Sequence, residues 1–222
     1  NTAMKPRTAV PLLLLAMLLA ATSPLLAEDG DLLLKNGTIL TVTKGRIERG
    51  DILVLNGLIN RIGEDITAPP GVKVVDVNGK YVIPGIIDSH THIALAGTNE
   101  GSEAVTPEAD VGAVINADDT AILTALSGGV TMVHTMHGSA NPIGGSNVVL
   151  KLKWGRPSQE LVVREALPTL KFALGENVKQ SGRVLQPGQT QRYPATRMGA
   201  NAIIRRELMK ARNYMEQWDR YN

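Results

Sequence analysis

The residues in this sequence with the clearest capacity for chemistry are two histidines, His90 and His92, that stand two positions apart. They close an apolar run, IPGIIDSHTH, that is typical of a buried β-strand. Residues i and i+2 of a strand point to the same face, so the two imidazoles should project side by side with Asp88 beneath them. Two neutral imidazoles on one face are a ready pair of metal ligands. The spacing therefore predicts part of a metal site.

The composition limits the remaining ligands and excludes several classes of function. The chain has 222 residues, no cysteine, and 23 lysines and arginines against 21 acidic residues. Without cysteine there is no disulfide scaffold, no thiol nucleophile and no thiolate ligand, so a metal must be held by histidine, carboxylate or a lysine-derived oxygen. The balanced charge and the 3% aromatic content exclude nucleic acid as an expected partner.

A small all-β segment is predicted in front of the histidines, over residues 31–83. Short strand-like runs there flank three Asn-Gly pairs, and Asn and Gly tolerate the positive φ that two-residue hairpin turns need. The sequence thus predicts three hairpins, turning at Asn36-Gly37, Asn56-Gly57 and Asn78-Gly79. No cluster of titratable groups falls within this segment, so we expect its role to be structural.

Several motifs carry a resemblance to a known family. The stretches KNGTILTV, VIPGIIDSHTH, GGVTMVHTMHGSANPIGG and LKFALGENVK are similar to the amidohydrolase superfamily, specifically its secreted imidazolonepropionase-like members. The likeness covers about residues 31–222. It implies a β-sandwich beside a (β/α)8 barrel, with His90 and His92 as metal ligands at the end of the first barrel strand. Barrel chemistry does sit at the C-terminal ends of the strands.

The expected fold class is α/β, an N-terminal β-sandwich segment followed by the first half of a metal-dependent hydrolase TIM barrel. The expected domains are a signal peptide at 1–27, a composite β-sandwich domain at 28–84, and a truncated half barrel at 85–222. One β-α-β unit is predicted, with a helix over 116–127 and a strand over 130–135, and an amphipathic helix is predicted from Met198. A complete barrel takes about 250 residues, so we expect only half of one here.

Lys171 and Glu176 are the candidates for a further metal ligand. Lys171 lies in an apolar run, TLKFAL, and an interior lysine is usually neutralised, paired or modified. The resemblance implies a carboxylated lysine that bridges two metals at the end of the fourth strand, and Lys171 fits that position. Relatives without this lysine use a bridging glutamate, for which Glu176 is the alternative. A third interpretation is a lysine that only extends its head group to the rim.

His134 and His137 are candidates for substrate binding, because both lie at the end of the second predicted barrel strand. Three residues apart, they do not share a strand face. The glycine-rich stretch 138–146 lacks a lysine before its serine, which excludes a nucleotide-binding P-loop. A mobile loop beside the substrate and a tight connection between strands both remain open.

The resemblance implies a metal-dependent hydrolase that uses metal-activated water on carbon–nitrogen bonds of a cyclic or other non-peptide amide. The cofactor expected is a divalent metal, zinc first, as one or two ions, and the partner expected is a small-molecule amide, with a homo-oligomer as a further expectation. The alternatives are a dipeptide, prolidase-like substrate and a non-catalytic exported binding or assembly protein. The general-base aspartate and two more histidines are expected beyond Asn222, so we expect this chain by itself to be inactive.

The first residues are predicted to be an export signal. Lys5 and Arg7 precede an apolar run, Ala9 to Ala21, that Ser23 and Pro24 interrupt. The run is shorter than the roughly 20 residues that span a bilayer. We therefore expect cleavage after Ala27 and a periplasmic or secreted protein that meets the membrane only through this signal. An uncleaved anchor is the alternative.

Overall fold

The computed structural model describes residues 30–179 and 186–221, and it divides the chain into two units between Pro84 and Gly85. The signal peptide predicted at residues 1–27 lies outside the described residues. Within the described part of the chain, no helix is long and apolar enough to cross a membrane.

The first unit is a mixed, five-stranded β-sheet. Its strands are β1 (Leu32–Leu40), β2 (Arg46–Leu55), β3 (Leu58–Gly63), β4 (Lys73–Asp76) and β5 (Tyr81–Val82). β1 is central, antiparallel to β2 and parallel to β4 and β5. A small core lies against the sheet and contains Leu33, Leu53, Leu55, Ile66 and Val72. The predicted N-terminal β segment is confirmed.

The predicted hairpin at Asn56-Gly57 is confirmed, because this pair joins the antiparallel strands β2 and β3. The predicted hairpin at Asn36-Gly37 is wrong. β1 continues through this pair with a bulge, in which Asn36 has a φ of 64°. The carboxylate of buried Asp51 on β2 accepts the Asn36 N–H at 3.0 Å and so keeps the bulge in the sheet.

The predicted hairpin at Asn78-Gly79 is also wrong. This pair lies between β4 and β5, which do not pair with each other. Both strands pair with β1, one after the other along its length. β4 pairs in parallel with residues 32–35 of β1, and β5 pairs in parallel with residues 38–39. The Asn-Gly pair therefore introduces an offset in the chain rather than a reversal.

The second unit is built on a four-stranded sheet in the order β6-β7-β8-β9. Its elements are β6 (Ile86–Thr91), a 3-10 helix (Val111–Val114), α1 (Ala121–Ser127), β7 (Val130–Thr135), β8 (Ile143–Lys151), α2 (Ser158–Leu161), β9 (Thr169–Phe172) and α3 (Arg197–Tyr221). Its core includes Ala94, Ile122, Val133, Leu150 and Leu161. With parallel β6 and β7 joined through α1, this unit is the expected partial TIM barrel.

The β-α-β unit is confirmed, but its helix begins at Ala121, five residues later than predicted. Polar side chains cap turns in the preceding segment instead of starting the helix. Asn116 Oδ1 accepts the Asp118 N–H at 3.1 Å, and Asp119 Oδ1 accepts the Ala121 N–H at 2.9 Å. Asn and Asp side chains compete in this way with helical hydrogen bonds.

Strand β8 was not predicted, and it includes the second half of the glycine-rich stretch. It is antiparallel to both β7 and β9. β9 therefore runs in the direction of β6 and β7. Lys171 lies on β9, the fourth strand of this sheet in chain order. Of the three strands that run in the same direction, β6, β7 and β9, it is the last.

Candidate metal centre

His90 and His92 lie side by side at the C-terminal end of β6, the first strand of the partial barrel. His90 belongs to the strand, which ends at Thr91, and His92 is the first residue after it. Their ring centroids are 5.4 Å apart in an edge-to-face arrangement, and both side chains are exposed. The pair is thus accessible from solvent at the rim where barrel enzymes carry their chemistry.

A backbone carbonyl orients the His92 ring. Nδ1 of His92 lies 2.9 Å from the carbonyl oxygen of Met136, just beyond β7. A carbonyl can only accept, so Nδ1 carries a proton, and in the neutral ring Nε2 therefore keeps its lone pair. The Met136 N–H in turn donates to the Thr91 carbonyl at 3.0 Å. Metal-binding histidines generally use one nitrogen in this way to present the other to the ion.

Lys171 on β9 meets His90 from the other side of the curled sheet. Its Nζ is 3.1 Å from His90 Nε2, and the lysine is only 7% exposed. Burial lowers the pKa of Lys171. The positive charge of Lys171, followed by burial, lowers the pKa of His90. Among the described residues Lys171 has no carboxylate partner.

The donors that converge here fit a zinc ion in type. Zinc takes imidazole nitrogen readily, and two imidazoles lie here beside a buried lysine whose Nζ contacts His90 Nε2. The set is partial: within residues 30–179 and 186–221, no group of three or more histidine, aspartate and glutamate side chains could hold an ion.

A cleft of about 270 Å³ adjoins the lysine and includes Glu176 in its wall with His90 and Lys171. The Glu176 carboxylate forms ion pairs with Lys179 and with Arg197, the latter at 3.0 Å. Hydrogen bonds from these two cations lower the pKa of Glu176. Glu176 is therefore close to the centre, but its carboxylate is directed to cations rather than to the histidines.

The structure separates the two histidines that were candidates for substrate binding. His134 on β7 is close enough to His90 to interact with it electrostatically. Its Nε2 lies 2.8 Å from the Thr169 hydroxyl at the start of β9. His137 is 2% exposed. Its Nε2 accepts the Glu100 N–H at 2.8 Å, and its Nδ1 donates to the Gly138 carbonyl at 2.9 Å. Both nitrogens of His137 are thus hydrogen-bonded to backbone groups.

Two contributors to the site were missed in the sequence. The Met136 carbonyl has no side-chain signature, because any residue supplies the same acceptor. Ser139 lines the cleft from the glycine-rich stretch. The sequence changes from a glycine-rich loop to an apolar strand near Ile143. That change is the signal that could have placed Ser139 in the loop after β7, at the rim of the barrel.

Taken together, the fold and the site define a class: a small β-sheet unit followed by a partial (β/α) barrel with a His-x-His pair at the end of its first strand. No family model matches the chain. The amidohydrolase tasK of Hapsidospora irregularis is 31% identical over 191 residues, 77% of this chain and 19% of that protein. An adenine deaminase of Kosmotoga olearia is 29% identical over 186 residues, 82% of this chain and 31% of that protein.

A solved structure gives the same result at the level of the fold. The amidohydrolase from Thermotoga maritima superposes with a TM-score of 0.73 at 36% identity, over 85% of this chain and 49% of that one. The chain belongs to the amidohydrolase superfamily. It spans less than a third of the length of these two curated relatives and about half of the solved structure.

Proposed function

We propose that this chain supplies part of the active site of a metal-dependent hydrolase that cleaves carbon–nitrogen bonds in a small cyclic or non-peptide amide. The observation that carries the proposal is the 3.1 Å approach of Lys171 Nζ to His90 Nε2 beside His92. Two of the relatives are named an amidohydrolase and an adenine deaminase, and these names support the reaction class.

In this proposal His90 and His92 would hold a divalent ion, zinc. The chemistry that a bound ion supplies is the activation of water for attack on a carbonyl carbon and the polarisation of the carbonyl oxygen. The bond from His92 Nδ1 to Met136 keeps the Nε2 lone pair available. His134, beside the centre on β7, is the residue we propose for contact with the substrate.

Lys171 would serve as a further metal ligand in its carboxylated form. Burial favours the neutral amine, which is the form whose lone pair can add to the carbon of carbon dioxide with loss of a proton. The product keeps the lysine nitrogen and adds a carboxylate with two oxygens beyond it, so it is anionic where the ammonium is cationic. Glu176 is the weaker candidate for this role, since Lys179 and Arg197 already pair with its carboxylate.

A second candidate function is binding or assembly without catalysis. The incomplete ligand set among the described residues favours it, because a catalytic zinc ion takes three protein ligands. The two functions differ in whether the chain retains zinc.

The test is the zinc content of the purified chain after equilibration with zinc and dialysis, measured for wild type and for a His90→Ala, His92→Ala double variant. A matched control is His134→Gln, which removes a neighbouring imidazole that is not a proposed ligand. We expect zinc in the wild type and the control, and loss of zinc from the double variant. Zinc that persists in the double variant would overturn the ligand assignment.

Export is a separate proposal and rests on residues 1–27. N-terminal sequencing of the protein recovered from an expressing bacterium tests it, with Glu28 as the expected first residue of the mature chain. A protein that retains Lys5 and Arg7 in the cytoplasmic fraction would contradict export.

A further inference from the structure

We propose that Asp119 is a positioning residue for His92, acting through the backbone of Ala94. The inference rests on the proposed function in one respect, namely that the His90 and His92 pair binds a metal ion. It assigns a role to a carboxylate that has no contact with the pair itself, and that lies in the segment just before α1.

Ala94, two residues after His92, has an unusual backbone conformation. Ala94 is fully buried and has a φ of 61°, in the left-handed region. A residue with a Cβ enters this region at a cost, and it stays there only when its surroundings hold it. Something must therefore hold the chain at the exit of the His-x-His segment.

Asp119 holds it from one side. Its Oδ2 accepts the Ala94 N–H at 2.7 Å, while its Oδ1 accepts the Ala121 N–H at 2.9 Å in the first turn of α1. The Ala94 carbonyl accepts the Asn116 N–H at 2.8 Å. The peptide groups on both sides of Ala94 are therefore tied to the segment that leads into α1.

Strand β7 holds the same segment from the other side. The Thr135 hydroxyl donates to the Ile93 carbonyl at 2.6 Å, and the Met136 N–H donates to the Thr91 carbonyl at 3.0 Å. His92 lies between these attachment points. Its ring can reach the Met136 carbonyl only if the backbone from Thr91 to Ala94 stays where these two sets of bonds hold it.

The chemistry of the role requires a carboxylate. Asp119 accepts two backbone N–H groups with two different oxygens. An asparagine has the same shape but offers one oxygen and an NH2 group, which cannot accept a hydrogen bond. Asp119→Asn therefore loses one of the two bonds. Whichever bond is lost, the link that Asp119 makes between Ala94 and the first turn of α1 is broken, so Ala94 can leave the left-handed region and move His92.

The experiment compares Asp119→Asn with Asp118→Asn in the full chain. Asp118 is the matched control, because it is the adjacent exposed aspartate and its carboxylate accepts none of the hydrogen bonds found in the described residues. Two quantities are measured: the affinity for zinc, by competition with a chromophoric chelator, and the tautomer of His92 in the metal-free protein, by 15N NMR of the ring nitrogens.

We expect Asp119→Asn to weaken zinc binding by about tenfold or more, the range for groups that orient metal ligands. We also expect loss of the Nδ1–H tautomer signature of His92, with neither change in Asp118→Asn. Adding Ala94→Gly to Asp119→Asn should restore both properties, because glycine adopts positive φ without the cost that a Cβ imposes.

The inference is overturned if Asp119→Asn matches Asp118→Asn in both measurements, or if Ala94→Gly restores neither property. The tautomer measurement separates this inference from the proposed function. A wild-type chain that binds no zinc contradicts the proposed function, whereas the NMR comparison in the metal-free protein still decides the role of Asp119.

Discussion

The Nζ atom of Lys171 lies 3.1 Å from the Nε2 atom of His90, although 81 positions separate the two residues along the chain. Lys171 is on β9 and His90 is on β6, which are the two outermost strands of the four-stranded sheet. Side chains of outermost strands can meet only if the sheet curls, as it does in a closing barrel. The contact is therefore a direct consequence of the partial barrel.

Removal of the lysine charge should raise the pKa of His90. In the folded chain the Lys171 ammonium is the largest influence that lowers this pKa below its ordinary value of 6.5. We expect Lys171→Met to raise it, as measured by NMR titration of the imidazole Hε1 signal, and exposed Lys151→Met to leave it unchanged. Because the folded pKa is the lowered one, the stability linked to His90 is present above pH 6.5 and is lost as the pH falls through the folded value.

An unchanged titration of His90 in the Lys171→Met variant would contradict this prediction. It would mean that the amine is already neutral at the pH where His90 titrates, since only the ammonium repels a protonated imidazole.

The first unit should lose stability in acid through Asp51. Burial opposes ionisation of this carboxyl, but hydrogen bonds from the Asn36 and Ile66 N–H groups and from Lys35 outweigh it, so its pKa lies below 3.8. The stability that it contributes is present above pH 3.8 and is lost as the pH falls through the lowered value. We expect Asp51→Ala to reduce the free energy of unfolding by about 2–3 kcal/mol.

Urea denaturation at neutral pH measures this effect, with exposed Glu64→Gln as the control. If Asp51→Ala unfolds at the same urea concentration as the control, the carboxylate does not hold the Asn36 bulge in place.

Gly145→Ala should destabilise the second unit. A Cβ at this position of β8 would overlap the backbone carbonyl of Ala109, which also accepts the Ser146 N–H at 2.8 Å. A clash with backbone cannot be relieved by a side-chain rotation, so we expect a loss of about 1–3 kcal/mol. In thermal unfolding, Gly97→Ala is the control, because no atom lies within 4 Å of its added Cβ. Equal melting temperatures for the two variants would rule out this close approach.

His137 should prove important for stability and unimportant for metal binding. Its replacement by alanine leaves the Glu100 N–H without its acceptor, and an unsatisfied group of this kind costs about 1–3 kcal/mol. We expect His137→Ala to unfold at lower temperature while it retains zinc as the wild type does. Loss of zinc at a temperature where the variant is fully folded would instead place His137 in the metal centre.

Local sequence preferences predicted the elements whose formation depends on near neighbours. Strand β7, the end of α1 at Gly128 and the long helix α3 follow from apolar spacing and glycine, which act within a few residues. The same reasoning failed at Asn36-Gly37. Asn36 does have the predicted positive φ, but its N–H donates to Asp51 on the next strand, and the result is a bulge instead of a turn.

The sequence by itself determined the chemical types available: two imidazoles on one strand end, no thiolate, and an apolar run that contains a lysine. The tertiary structure decided which of these groups meet. It brings Lys171 to His90, directs Glu176 toward Lys179 and Arg197, and encloses His137 in backbone hydrogen bonds. The physical reason is that strand order, the antiparallel β8 and the curl of the sheet arise from contacts between distant segments, which no short stretch of sequence encodes.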